Sequence, residues 1–184
     1  MAKDLEPTVL ARVRIASPVG DLAGFARTDA LCALSFVDGR YDPLVNLRQR
    51  FRSVRVEEGD PLGLAAHFRA YFRGALDALD DLAVDTGGTP FQRRVWSVLR
   101  TIPAGRTMSY LEVARRVEAP EAVRAVGAAN GANPVAIVVP CHRVIGANGS
   151  LTGYGGGLER KRWLLAHEKA PVAVARASQA RLFE

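Results

Sequence analysis

The sequence predicts an α+β protein in which a small N-terminal domain with a β-sheet and a helix precedes a mainly helical domain. Three observations support this class. Short β-prone runs broken by turn residues come first, helix-capping patterns follow in the second half, and 48% of the 184 residues are hydrophobic, enough for a buried core. We expect domains at 1–84 and 90–170, a linker at 85–89 and a tail at 171–184.

The strands of the first domain are predicted in VRIASPVGDLAGFARTDALCALSFVDG, where turn residues interrupt the short apolar runs. Alternation within LCALSF predicts that Cys32, Leu34 and Phe36 share the inward face of one strand. Cys32 is therefore expected to be a core residue.

A helix should follow in PLGLAAHFRAYFRGAL, because apolar residues recur there at helical spacing. The stripe consists of Leu64, Phe68 and Phe72, widened by Tyr71 and Leu76. We expect His67 and Tyr71 to be packing or surface residues, so that this domain carries no chemistry.

The helices of the second domain begin at capping patterns. Thr89 is a predicted N-cap with Pro90 at the first helical position, and Ser109 with Glu112 fits a capping box. The first of these helices should bury Phe91, Val95, Val98 and Leu99, and the second Val113, Ala114 and Val117.

A further helix is predicted in APEAVRAVGAANGANP, with Pro120 at its start and Gly131 at its end. The second and third helices then have the spacing of a helix-turn-helix. The third helix carries small residues, and Arg124 is its only long cation, which is too little for reading several base edges in a major groove. It could approach a duplex closely through its small residues, or simply pack against another helix.

Charge and cysteine usage narrow the function. Residues 85–184 contain 14 Lys and Arg against 7 Asp and Glu, whereas residues 1–84 contain 11 against 12, so the second half predicts a polyanionic partner. With two cysteines, three histidines and no C-x-x-C motif, we expect no metal and no cofactor. No apolar run suits a membrane span or a signal peptide, so we expect a cytoplasmic protein without a membrane partner.

Cys141 is the candidate reactive residue. The apolar run VAIVV, residues 135–139, predicts an internal strand whose end fixes Cys141. A cysteine with an ordinary pKa is only ~3% thiolate at pH 7, so it needs a base, and His142 is the nearest one, acting through a bend or a bridging water.

A third group should orient the imidazole. Glu168 is the candidate, because a carboxylate in the last turn of a helix opposes the helix dipole and needs a cation. Lys169 could equally be the partner of Glu168. The helix itself is predicted from Leu158, with Leu158, Leu164 and Leu165 facing inward.

The segment RAVGAANGANPVAIVVPCHRVIGANGSLTGYGGGLERKRWLLAHE, with FQRRVWSVLRTIPAGRTMSY upstream, resembles the O6-alkylguanine-DNA alkyltransferases, which repair DNA by direct reversal. The resemblance extends from Phe91 to Glu168, and SPVGDL at residues 17–22 suggests the family's N-terminal domain. It implies a winged-helix-like second domain with a DNA-binding helix-turn-helix. It also implies one irreversible transfer per molecule of an alkyl group from O6 of guanine, and leaves activity on O4 of thymine open.

The resemblance implies a role for each site residue. Cys141 would accept the alkyl group, His142 would be the water-mediated base and Glu168 would orient it, while Arg143 would stabilise the site. Asn133 would be the hinge after the recognition helix. The flipped nucleotide would be handled by two further residues, an arginine finger that fills the vacated stack and a tyrosine that aids extrusion and proton delivery; they are Arg124 and Tyr110.

Two further groups of residues would contact the substrate. Tyr154, Gly155 and Gly156 would form the pocket wall, and backbone groups around Cys141 and Val144 would read the guanine edge. The close-packed face of the DNA-binding helix would comprise Ala122, Ala125 and Gly127. The chain departs from zinc-containing relatives, since its first domain offers only Cys32 and His67 as ligands.

The expected partner is double-stranded DNA that contains O6-alkylguanine, bound by a monomer that can cluster on DNA. Three alternatives stay open at this point: a non-catalytic lesion-recognition protein of the same fold, a Cys-His-Glu hydrolase and a transcription regulator.

Overall fold

The computed structural model describes residues 6–39 and 41–171, and it confirms the α+β class. The predicted tail lies outside the described residues except for Pro171. Within the described part of the chain, no helix is both long and apolar enough to cross a membrane. The proposed division at residues 85–89 stays a prediction.

The N-terminal elements form a four-stranded sheet in the order β3-β2-β1-β4. Its strands are β1 (Thr8–Ile15), β2 (Leu22–Ala26), β3 (Leu31–Phe36) and β4 (Val54–Glu58). The pairs β1–β2 and β2–β3 are antiparallel, and β1–β4 is parallel. Helix α1 (Pro43–Phe51) supplies the connection between β3 and β4; neither α1 nor β4 was predicted. Helix α2 (Leu64–Phe72) was predicted.

Both faces of this sheet are covered, which corrects the expected orientation of Cys32. Leu34 and Phe36 pack in the main core, whereas Cys32 packs on the opposite face with Leu10 and Leu47. A register shift between β2 and β3 inserts one extra residue at this point and reverses the alternation. Cys32 is nevertheless buried, as expected.

The second half begins with the predicted caps. Helix α3 (Pro90–Arg100) starts with a capping box at Thr89, and α4 (Tyr110–Arg116) starts with one between Ser109 and Glu112. Each capping box satisfies two amide donors that a helix end would leave unpaired. Helix α5 (Val123–Gly131) ends where predicted but starts at Val123 rather than near Pro120, because the residues before it form a turn.

The expected strand at residues 135–139 is wrong. Val135 and Ala136 dock on the edge of β3, where Leu34 N–H donates to Pro134 O at 2.9 Å and Ala136 N–H donates to Leu34 O at 3.0 Å. The chain then turns sharply at Ile137, whose φ of 69° lies in the left-handed region. Residues 135–139 are apolar because they are buried against the N-terminal sheet. Their hydrophobicity alone therefore suggested a strand that is not formed.

The remaining elements are short. A 3₁₀ helix (Cys141–Arg143) precedes β6 (Val144–Ile145), which pairs in parallel with β5 (Met108–Ser109). Helix α6 (Leu158–His167) buries Leu164 and Leu165 as expected, but Leu158 is 41% exposed at its first turn, contrary to the prediction.

Candidate active site

Cys141 is the first residue of the 3₁₀ helix and lines a pocket of ≈ 290 Å³. The residue is only 6% exposed. Five residues predicted for the site meet in this pocket; they are Asn133, Cys141, Tyr154, Gly155 and Gly156. A 3₁₀ turn, rather than a strand end, therefore holds the thiol in place.

Asn133 connects the end of α5 to the thiol. Its Nδ2 donates to Val139 O at 2.8 Å and lies 3.1 Å from Cys141 Sγ, and its Oδ1 accepts from Val135 N–H at 3.0 Å. The side chain thus closes the turn that contains Ile137 and also contacts the sulfur. This geometry fits the hinge role that the resemblance implies.

His142 is fully buried and is not one of the residues that line the pocket. Its Nε2 lies 2.9 Å from Glu168 Oε1, so the predicted contact is present and Lys169 is not the partner. Since a carboxylate only accepts, Nε2 carries the proton and Nδ1 can accept one. Nδ1 is buried and has no hydrogen-bond partner among the residues that the structure describes.

Glu168 is held by three side chains. Besides His142, Arg143 donates to both carboxylate oxygens at 2.8 and 2.9 Å and to Ile102 O at 2.5 Å, which fits the structural role expected for it. Burial by itself would raise the pKa of Glu168, but the hydrogen bonds from His142 and Arg143 lower it well below its usual range. Glu168 is therefore a fixed negative charge.

The third of these side chains, Tyr71, was missed by the sequence analysis. Its hydroxyl donates to Glu168 Oε1 at 2.7 Å, across 97 positions of sequence. Burial and the neighbouring carboxylate raise the pKa of Tyr71, which keeps its proton. The N-terminal part of the chain therefore contributes directly to the charge network behind the thiol, contrary to expectation.

Burial also dominates the electrostatics of the reactive pair. It raises the pKa of Cys141, although the Asn133 hydrogen bond and the charge of Lys161 act in the opposite direction. It lowers the pKa of His142, so the imidazole is neutral. Burial therefore favours a neutral thiol and a neutral imidazole in the free protein.

Lys161 is the second residue that the sequence analysis missed. It is fully buried, and its Nζ donates to Val144 O and Thr152 O at 2.6 Å each. Burial lowers its pKa to about 8. Lys161 thereby ties the pocket loop to β6. Val144 is buried, and its backbone carbonyl accepts this bond from Lys161. Val144 is not among the residues that line the pocket.

The glycine loop forms one side of the pocket. Gly156 packs so closely against Phe36 and Tyr154 that a Cβ would lie 2.5 Å from the Phe36 ring, whereas a Cβ at Gly155 would meet no atom within 4 Å. Phe36 and Tyr154 meet edge to face at 6.4 Å. Gly156 is thus needed for packing, and Gly155 leaves the pocket open.

Tyr110 does not line the pocket but lies between α5 and the glycine loop. Its hydroxyl is 3.5 Å from Thr152 O, and a Cβ on Gly127 would be 3.9 Å from its ring. On α5, Arg124 and Ala125 are exposed and Ala122 and Gly127 partly so. Among the described residues, Arg124 makes no ion pair.

Fold and site together define a protein in which α4 and α5 follow each other closely and a buried cysteine lines a pocket. Residues 90–170 match the family model described as the DNA-binding domain of 6-O-methylguanine DNA methyltransferase. The chain is 55% identical over 130 residues to the Salmonella typhimurium methylated-DNA–protein-cysteine methyltransferase, a match that covers 70% of this chain and 76% of that protein.

Solved structures agree with these sequence matches. The Mycobacterium tuberculosis O6-methylguanine methyltransferase is similar with a TM-score of 0.74 and 45% identity, covering 88% of this chain and 95% of that one. The M. tuberculosis protein OGT in complex with DNA is similar with a TM-score of 0.72 and 42% identity, covering 89% and 95%. The chain belongs to the methylated-DNA–protein-cysteine methyltransferase family of DNA repair proteins, and DNA is its partner.

Proposed function

We propose that Cys141 takes an alkyl group from O6 of guanine in duplex DNA and keeps it. The observation that carries this proposal is the position of the thiol, inside a pocket, 3.1 Å from Asn133 Nδ2 and next to an imidazole fixed by Glu168. A single acceptor sulfur in a pocket suits a small electrophilic carbon.

The proposed reaction is a displacement at carbon. His142 Nδ1 takes the thiol proton, directly or through one water, and the sulfur attacks the alkyl carbon. The carbon–oxygen bond breaks and its electron pair returns to the base, which gains a proton to become guanine. Tyr110 is the proposed proton donor to the leaving base. The proton taken from the thiol finally replaces the one that Tyr110 donates.

The resting electrostatics fit this order of events. A thiol whose pKa is raised by burial stays neutral until a base removes its proton, and a neutral imidazole with a free Nδ1 can do so. The imidazolium that results is stabilised by Glu168, which Arg143 and Tyr71 hold in place. A resting thiol would also limit oxidation before DNA binds.

The target base lies inside a stacked duplex and must leave the stack to reach Cys141, which costs a few kcal/mol. Exposed Arg124 is the proposed finger that fills the space, on a helix whose Ala122, Ala125 and Gly127 allow close approach. The proposed unit is a cytoplasmic monomer.

Transfer of labelled methyl from duplex DNA to protein tests the proposal. The product is a thioether with no good leaving group, so transfer should stop at one equivalent per molecule. It should be lost in Cys141→Ala and retained in Cys32→Ala, which removes the other buried free cysteine. Repair well beyond one equivalent, or equal transfer in both variants, would contradict the proposal.

A further inference from the structure

The acceptor pocket has a wall that comes from the N-terminal part of the chain. Beside Cys141 and the glycine loop, the pocket is lined by residues from the end of β3, the turn after it and helix α1; these include Phe36, Gly39, Tyr41 and Asn46. The thiol is therefore enclosed by two widely separated segments of sequence.

Tyr41 and Asn46 form the outer part of this wall as a hydrogen-bonded pair. Asn46 Nδ2 donates to Tyr41 Oη at 2.8 Å. The bond joins the turn after β3 to α1 and limits the positions that the tyrosine ring can adopt. At 40% exposure, the ring has one surface toward solvent and another toward the pocket.

A second cavity of ≈ 360 Å³ lies on the other side of this pair. Tyr41, Asn46 and Ala132 line both cavities, and the far walls of the second include Leu47 and Trp96. Ala132 is small, so the Tyr41–Asn46 pair supplies most of the side-chain bulk between the two spaces. It is a partition between the acceptor pocket and an adjoining space.

The glycine loop adds little side-chain bulk to the pocket at Gly155. Gly155 has no side chain, and a Cβ there would meet nothing within 4 Å. A substituent that extends beyond its first carbon therefore has room beside the glycine loop and meets bulk on the N-terminal side.

We propose that the Tyr41–Asn46 pair determines how large an alkyl group the acceptor pocket admits, with small O6-alkyl groups preferred over aryl-bearing ones. The proposal rests on the alkyl transfer to Cys141 proposed above and adds its specificity. Both residues are proposed to act by occupying space at the far end of the substituent.

The test compares two duplexes of the same sequence, one with O6-methylguanine and one with O6-benzylguanine, and measures the rate constant for transfer to each. In Tyr41→Ala, the benzyl-to-methyl ratio should rise about tenfold or more, since a single methylene in an apolar pocket changes such ratios roughly 10- to 200-fold. Asn46→Ala, which frees the ring, should raise the ratio in the same direction.

Two control variants separate size from other effects. Tyr41→Phe keeps the ring but loses the bond from Asn46, so its ratio should resemble that of Asn46→Ala and stay below that of Tyr41→Ala. Val45→Ala changes a 52% exposed residue of the same helix that lines neither cavity, and should leave the ratio unchanged.

The proposal is overturned if Tyr41→Ala and Asn46→Ala leave the ratio as in wild type, or if Val45→Ala raises it equally. Such a result leaves transfer to Cys141 intact. If the wild-type protein gains no methyl group at Cys141, alkyl transfer itself is refuted, so the two failures are distinguishable.

Discussion

Replacing Glu168 with glutamine should disable the base while leaving the DNA-binding surface intact. The carboxylate accepts four hydrogen bonds, from His142, Tyr71 and two Arg143 nitrogens. A glutamine amide has only one oxygen, so its NH₂ group must take the place of one carboxylate oxygen. It then faces either a donor on Arg143 or Tyr71, or His142 Nε2. In the second case, the imidazole proton moves to Nδ1, and the base toward Cys141 is lost.

The expected magnitudes follow from this geometry. Loss of general-base catalysis lowers the rate of transfer by about 10²- to 10⁴-fold. Removal of the buried carboxylate leaves Arg143 without a counter-charge, which costs about 3–5 kcal/mol of unfolding free energy. In a chain of this size, that is a decrease in Tm of very roughly 6–20 °C.

The assay measures single-turnover transfer from O6-methylguanine duplex, affinity for the same duplex, and Tm. Glu159→Gln is the matched control, because Glu159 lies on the helix that Glu168 caps, is 90% exposed and, within the described part of the chain, forms an ion pair only with Arg162. It should behave as wild type. An unchanged transfer rate in Glu168→Gln would refute the role assigned to the carboxylate, and a large loss of DNA affinity would refute its separation from the binding surface.

Three further predictions concern charge at the site. Arg124→Ala should slow transfer from duplex roughly 10²-fold more than transfer from the free O6-alkylguanine base, because only the duplex requires extrusion; equal losses in the two assays would contradict this. Lys161→Met should leave buried carbonyls unpaired and reduce the free energy of unfolding by about 1–3 kcal/mol. It should also shift alkylation of the thiol by a small probe to higher pH, because the charge of Lys161 lowers the pKa of Cys141. Arg162→Met, at an exposed position of the same helix, should change neither stability nor thiol alkylation. The pKa of Glu168 is lowered in the folded protein, so the stabilisation from its charge is complete above its unfolded pKa of about 4.3 and is lost as pH falls further. Between pH 6 and pH 3, the free energy of unfolding should therefore fall more steeply for wild type than for Glu168→Gln. Parallel curves for the two proteins would argue against this role.

Local chemistry explains which parts of the fold could be predicted. The starts of α3 and α4 follow from side chains that bond to backbone within three residues, so Thr89 and Ser109 suffice to indicate them. The prediction of a strand at residues 135–139 failed because these residues are buried by the edge of β3, about a hundred positions earlier. An apolar run does not reveal which part of the chain buries it.

The candidate site divides in the same way. Cys141, His142 and Asn133 lie within nine positions, and their proximity is visible in the sequence. Tyr71 was missed because its partner is 97 residues away, and its helical spacing also fits plain core packing. Lys161 was missed because its partners are backbone carbonyls, which carry no sequence signal; a lysine at a buried helical position is the one available hint.

The central claim is tested most directly by intact-mass measurement after incubation with O6-methylguanine duplex, followed by peptide mapping. A stoichiometric gain of about 14 Da, located on Cys141, is the expected result for nucleophilic transfer of one methyl group. An unchanged mass, or a methyl group located on Cys32 instead, would contradict the account.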